Sequence, residues 1–260
     1  MLQSLCLSHV LQSLRNTHDN MEHDNMATLS IKQAESIVGG LSNTSKMPTM
    51  SISLPATECK TGAKLRKIAG SVCSTCYALK GCYVFPVVKD ALATRLQGID
   101  SLQWEDAMVT LITKKKRIAE SGLFRWHDSG DLQSMEHLLK IVRIAKRTPS
   151  VKHWIPTKEK ALIREYARKH GAFPENMIVR LSGAMIDGPA PNAEHTSTVT
   201  TEHEHATCHA YRTDKTGKVW AHAELHALTS EEKKTLDFGH CGNCRKCWSH
   251  DVKNVVYLAH

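Results

Sequence analysis

Between residues 123 and 183 the apolar pattern changes period several times, and this alternation narrows the folds open to the chain. Leu123-Phe-Arg-Trp-His127 reads as a strand. Ser134 then caps a helix with Leu138, Ile141, Val142 and Ala145 on one face, which stops at Thr148-Pro149. Val151-Lys-His-Trp-Ile155 reads as a second strand. Thr157 caps a second helix, with Leu162, Tyr166 and Ala167 inward and Gly171 as its stop. Met177-Ile-Val-Arg-Leu181 is a third strand. This β-α-β-α-β order with short loops implies parallel strands joined by right-handed crossovers. The expected fold is α/β, a partial (β/α) barrel-like parallel sheet with cysteine-rich metal-binding segments at both ends.

In parallel sheets, ligands gather at the C-terminal strand ends. Those ends carry Asp128, Ser129 and Asp131 after the first strand and Thr157 and Lys158 after the second. We take these five as candidate substrate-binding residues, since two aspartates exceed what one helix cap needs. No residue is singled out as catalytic. Phosphate-loop, dinucleotide and nucleophile-elbow patterns are absent.

Cysteines supply the strongest chemical signal. Cys241, Cys244 and Cys247 stand in a C-x2-C-x2-C run, the spacing that grips one 4Fe–4S cube in bacterial ferredoxins. The ferredoxin fourth cysteine is missing, because Ser249-His250-Asp251 follows; Cys208 is the nearest substitute. Cys59, Cys73, Cys76 and Cys82 form an earlier set, and Cys6 is left over. One or two 4Fe–4S clusters are the expected cofactors, with zinc as the alternative metal.

Composition sets outer limits. With 260 residues and 41% hydrophobic content, the chain can bury a sizeable core. No run of eighteen apolar residues suggests a membrane span, and the N-terminus lacks a signal-peptide pattern. A cytoplasmic location follows, where clustered cysteines point to metal rather than disulfides. Residues 1–45 are expected to be mobile or peripheral, with a short helix near Ile31–Ile37. Residues 46–260 would form a single domain with an irregular insertion near 186–206.

The net charge is +8, but residues 60–169 hold 22 basic against 10 acidic side chains, net +12. Lys114-Lys115-Lys116-Arg117 at the end of a helix through Trp104, Met108, Leu111 and Ile118 reads as a solvated face or a nucleic-acid contact. His222 and His226 share one helix face at i, i+4, without the rest of a zinc-protease motif.

The Cys73-x2-Cys76-Tyr77 segment, with Arg125-Trp-His-Asp-Ser-Gly-Asp131, resembles the bacteriophage gene product 88-like family over roughly residues 47–260. This implies a phage origin, and hence a host-cell cytoplasm, more than it implies an activity. The same features distantly resemble radical-SAM enzymes. That resemblance implies a partial barrel and a three-cysteine cluster whose open iron binds S-adenosylmethionine. Those enzymes use C-x3-C-x2-C, whereas here Cys59 lies fourteen residues before Cys73 and Cys82 six after Cys76. Two non-enzymatic expectations stand beside it. One is a structural metal module with a basic face for nucleic acid; the other is a redox or regulatory cluster protein acting on a host partner.

Overall fold

A computed structural model of the chain describes residues 29–259; Cys6 lies outside the described residues. Six strands form one sheet: β1 (Ser51–Ile52), β2 (Leu123–Trp126), β3 (Lys152–Thr157), β4 (Met177–Ile186), β5 (Thr196–Thr200) and β6 (Asn254–Leu258). Every neighbouring pair is parallel, and the spatial order is β1-β2-β3-β4-β5-β6. The order never reverses, unlike that of a doubly wound sheet. The sheet is open, with β1 at one edge and β6 at the other.

Helices α1 (Ile31–Val38), α2 (Lys60–Leu65), α3 (Pro86–Gly98), α4 (Trp104–Lys114), α5 (Lys116–Ser121), α6 (Met135–Arg147) and α7 (Lys160–His170) accompany the first four strands. Two short helices, α8 (His222–Ala227) and α9 (Ser230–Leu236), lie between β5 and β6. The main core packs α1, α4, α5 and α6 against one sheet face, through Phe124, Trp126, Ile155 and Met177. Helix α6 shows how the pattern works. The Ser134 hydroxyl accepts from His137 N at 3.0 Å, and Leu138, Ile141, Ile144 and Ala145 are fully buried. Each large apolar side chain so placed contributes about 1.5–3 kcal/mol.

Strand alternation sends Leu123, Trp154 and Ile178 to the opposite face, where Trp248 covers them. In-register pairing puts Arg125 beside Trp154 and Trp154 beside Ile178 on this inner face. The segment that covers it is the C-terminal cysteine run.

Several local expectations change. Helix α1 follows the expected position closely, and its Ala34 and Val38 are buried in the main core, so the core reaches into the first 45 residues. Thr157 is the last residue of β3, and α7 starts at Lys160 without a side-chain cap. The long helix ending in the basic run breaks at Lys115 into α4 and α5. The region 186–206 contains β5, whose Thr196, Ser197, Thr198 and Thr200 are buried. Its hydroxyls are satisfied within the fold: Thr196 bonds Asn254 Oδ1 at 2.9 Å and Thr200 bonds Asp187 at 2.8 Å.

Candidate functional site: a thiol-lined pocket

The loops after β1, β2, β3 and β4 converge on a cavity of about 460 Å³. Its walls include Cys59, Cys73 and Cys76, together with Arg125, His127, Trp154, Ser182, Ser197 and Tyr257. Asp128, Ser129, Asp131, Thr157 and Lys158 all line it too.

Backbone pairing brings the cysteines there. Leu54 N donates to Ser129 O at 2.9 Å, and Ser129 Oγ returns a bond to Leu54 O at 3.0 Å, zipping the first two loops together. Gly130, at φ 79°, allows this approach: a Cβ there would lie 2.5 Å from Leu54 Cβ. Thr61 N and Oγ1 each donate to the Glu159 carboxylate at 2.8 Å, tying the start of α2, and Cys59 before it, to the end of β3. Val72 N donates to Ala184 O and Ile186 N to Gly70 O, pinning the Cys73 loop to β4. Gly62 allows the close approach of both cysteines: a Cβ on it would sit 2.9 Å from Cys59 Cβ, 3.6 Å from Cys73 Sγ and 3.7 Å from Cys59 Sγ.

Cys82 stands apart. It lies in an exposed 3₁₀ turn, Gly81–Val84, and is not part of the cavity wall.

Burial pushes the Cys59 thiol up to about 12, with Asp131, Cys76 and Cys73 adding to the effect. Cys73 is raised for the same reason, opposed mainly by Lys158. Burial lowers Lys158, against the pull of Cys73, Asp131, Cys76 and Cys59. Asp131 is pushed up to about 6 by burial, although Thr157 Oγ1, Lys158 N and Leu132 N all donate to it.

Most of the five candidate substrate residues are spent on the wall itself. Asp128 accepts from Ser51 and Ser53, Ser129 bonds Leu54, and Lys158 Nζ donates to Gly183 O at 2.5 Å. Polar atoms left without partners in the wall belong to Trp154, through its Nε1, and to two residues that the sequence reading did not propose as ligand-binding, Arg125 and His127. Arg125 Nε and both ring nitrogens of His127 are buried without a hydrogen-bond partner. His127 also adopts φ 55°, a conformation uncommon for a side-chain-bearing residue and found often at functional sites. The available signal was a charged residue inside an otherwise apolar strand, Leu-Phe-Arg-Trp.

The second cysteine group lies toward the other end of the inner face. Cys208 N donates to Val256 O at 2.9 Å, fixing Cys208 against β6, and Cys241 N donates to Lys46 O at 2.9 Å. Cys247 Sγ and Tyr257 Oη meet at 3.1 Å. Burial raises Cys208, Cys241 and Cys247, the last two to about 11 and about 12, and neighbouring thiols of the same group add to each shift. The group therefore comprises Cys208, Cys241, Cys244 and Cys247. Tyr257 belongs to both regions, since its ring also lines the cavity.

Among the described residues, no three Cys, His, Asp or Glu side chains gather closely enough to hold a single metal ion. Tetrahedral zinc, with Zn–S near 2.3 Å, would draw thiolates to within about 4 Å of each other. The histidine pair sits elsewhere: His222 meets Tyr211 Oη at 3.1 Å on α8. The basic run is partly tethered to the protein's own groups, with Lys114 and Lys116 still exposed. Lys115 pairs with Glu35 at 2.5 Å, Arg117 bonds Asn43 and the carbonyl of Thr44, and Lys114 bonds Leu29 O. Among the described residues, no helix is long and apolar enough to cross a membrane.

Fold and site define an open, all-parallel α/β protein with three thiols around a pocket at its C-terminal strand ends and four more under its inner face. The chain belongs to the phage gene product 88 family, whose family model matches residues 14–250. No curated protein and no solved structure matches it, radical-SAM enzymes included.

Proposed function

We propose that the chain is an iron–sulfur protein with two unlike sites. Cys59, Cys73 and Cys76 would hold a 4Fe–4S cube whose fourth iron faces the cavity. Cys208, Cys241, Cys244 and Cys247 would fully ligate a second. The observation that carries this reading is the three-plus-four division of the thiols, with only the group of three bordering a cavity.

When bound, such a cube supplies an open iron that coordinates a small molecule and passes single electrons. The protein's own residues do the rest. Glu159 and Thr61 orient Cys59, and Lys158 offsets the negative charge of the thiolates. Tyr77 Oη donates to the Asp128 carbonyl and holds the loop after Cys76 against β2. A cavity of about 460 Å³ suits a ligand of cofactor size, and S-adenosylmethionine is the molecule this reading assigns to it.

The test is anaerobic purification with iron, sulfide and zinc analysis. About four irons per site are expected. Cys59→Ser, Cys73→Ser and Cys76→Ser should each remove about half of the iron, and Cys244→Ser the other half. Dithionite and S-adenosylmethionine should then yield 5′-deoxyadenosine from the wild-type chain. Stoichiometric zinc with negligible iron would sink the cluster assignment; intact clusters without 5′-deoxyadenosine would sink the catalytic one.

A further inference from the structure

The cavity holds one charge that no ion pair answers directly, although Tyr77 and Asp128 lie near enough to favour it. Arg125 enters the inner face from the middle of β2, and its guanidinium sits 4.6 Å above the Trp154 ring. This stacking fixes the plane of the guanidinium. Its Nε has no hydrogen-bond partner, and Nη1 faces only the weak thioether acceptor of Met47 at 3.1 Å. Among the described residues no carboxylate lies in ion-pair range of Arg125, although other arginines have such partners, such as Arg143 with Glu105 at 2.6 Å and Arg147 with Asp106 at 2.7 Å. Arg125 is half-buried with its Nε fully covered; a guanidinium cannot shed its proton, and leaving a covered donor unpaired is costly. The other charged groups of the cavity are already satisfied, as described above for Asp128, Asp131 and Lys158.

We propose that Arg125 is the anchor of a carboxylate-binding subsite, and that the small molecule taken by this cavity carries a carboxylate. The guanidinium fork matches a planar carboxylate in two parallel hydrogen bonds. A phosphate dianion fits less well, because Asp128 and Asp131 line the same cavity and no glycine-rich phosphate loop stands there. Ser182 and Ser197 border the same space and supply hydroxyls to the remainder of the ligand. The subsite deepens the pocket reading but does not depend on a cluster being present.

The experiment is calorimetric titration of the full chain with sodium benzoate, using benzyl alcohol as the uncharged counterpart. It is run on metal-free protein and again after anaerobic reconstitution with iron and sulfide. Benzoate should bind at least about tenfold more tightly than benzyl alcohol, the factor expected for hydrogen bonds to a charged group. Arg125→Gln should lose that preference. Arg125→Lys, which keeps the charge but not the fork, should fall between the two. A second measurement needs no variant: benzoate, but not benzyl alcohol, should protect Arg125 of the wild-type chain from phenylglyoxal, as read by peptide mass spectrometry. Equal binding of the two probes overturns the proposal, and so does absence of protection. If both variants bind benzoate unchanged while the metal content of the C-terminal group falls, Arg125 is a counter-charge for those thiolates and the proposal is overturned. Because the metal-free arm carries the result, failure of the iron–sulfur reading leaves this test intact.

Discussion

Arg180 Nε donates to the backbone carbonyl of Cys247 at 3.0 Å, and this bond couples the central strand of the sheet to the C-terminal cysteine run. Arg180 is fully buried. Its Nη2 reaches Lys246 O at 2.9 Å and Ser249 O at 2.7 Å, and its Nη1 reaches Val252 O at 2.8 Å. One side chain therefore satisfies carbonyls on both sides of Cys247, from a position on β4 that faces the cysteine run.

Arg180→Met should cost several kcal/mol, because each abandoned buried carbonyl loses about 1–3 kcal/mol. It should also lower metal uptake by the C-terminal group more than by Cys59, Cys73 and Cys76. Urea unfolding and iron content measure the two effects. Equal loss of iron from both groups would mean that Arg180 supports the whole sheet and not the cysteine run.

Gly130→Ala should be among the most destabilising single changes outside the core. The residue has φ 79°, and an added Cβ meets Leu54 Cβ at 2.5 Å and Leu54 O at 2.8 Å. Backbone atoms cannot swing aside as a flexible side chain can, so strain and overpacking should together cost about 2–4 kcal/mol. Thermal unfolding is the measurement; a shift within error would mean that the β1–β2 loop pairing is loose. Gly62→Ala makes a useful contrast, because its Cβ contacts only Cys59 Cβ closely, at 2.9 Å, and otherwise fills the space between two sulfurs. It should reduce metal uptake more than it reduces stability.

The parts of the fold legible in the sequence were those with a clean period. Strands β2, β3 and β4 and helix α6 announce themselves because apolar residues recur at two or at three-to-four. Strand β5 did not, because Thr-Ser-Thr-Val-Thr reads as a polar loop until partners for its hydroxyls are known. Those partners, Asn254 and Asp187, are far away or across a turn. Strand β1 is two residues long and carries no periodicity. In the site, sequence proximity is what joins Cys208 to the C-terminal run, and Cys208 N bonds Val256 O on β6, the strand that follows that run. Proximity gives no hint that Cys82, which shares a segment with Cys76, lies on the exposed side of a 3₁₀ turn. Arg125 and Arg180 stand out in the sequence only as charges inside apolar strands, and it takes the sheet register to reveal that they face the same covered side.

Acid should destabilise the metal-free chain below about pH 6. Burial pushes His127 and His153 down to about 3 and lowers His137 well below the ordinary histidine range. Each is neutral in the fold and charged in the unfolded chain below its ordinary value of 6.5. Their contribution is therefore present above 6.5 and lost as pH falls. His153 shows why the neutral form is built in. Trp126 Nε1 can only donate, so His153 Nδ1 accepts at 3.2 Å, leaving Nε2 to donate to Thr148 Oγ1 at 2.8 Å. Asp131 acts in the opposite sense: raised from 3.8 to about 6, it favours the fold at low pH and loses that advantage as pH rises through 6. Three protons against one leave a net difference of two between about pH 4.5 and 6, a slope of about 2.7 kcal/mol per pH unit. Asp131→Asn should steepen this slope and raise stability at pH 8; a flat stability profile from pH 7 to 5 would refute the assignment of neutral buried histidines.

Thiol alkylation ranks the cysteines without any metal present. A thiol raised from 9.0 to about 12, as Cys59 and Cys247 are, carries about a thousandfold less thiolate at pH 8. Greater intrinsic nucleophilicity recovers part of that, with a Brønsted coefficient of about 0.4–0.5, leaving a deficit of about thirtyfold before burial slows access further. Cys82 is exposed, so access to it is not slowed by burial. Metal-free protein treated with iodoacetamide at pH 8 should therefore label Cys82 first, with Cys59 and Cys247 much later. Peptide mass spectrometry at timed intervals gives the order. If Cys59 labels as fast as Cys82, the loop after β1 is not closed over the pocket and the three-thiol arrangement fails. If only Cys247 is fast, the Tyr257 hydrogen bond lowers that thiol further than burial raises it, and Tyr257→Phe should restore the slow rate.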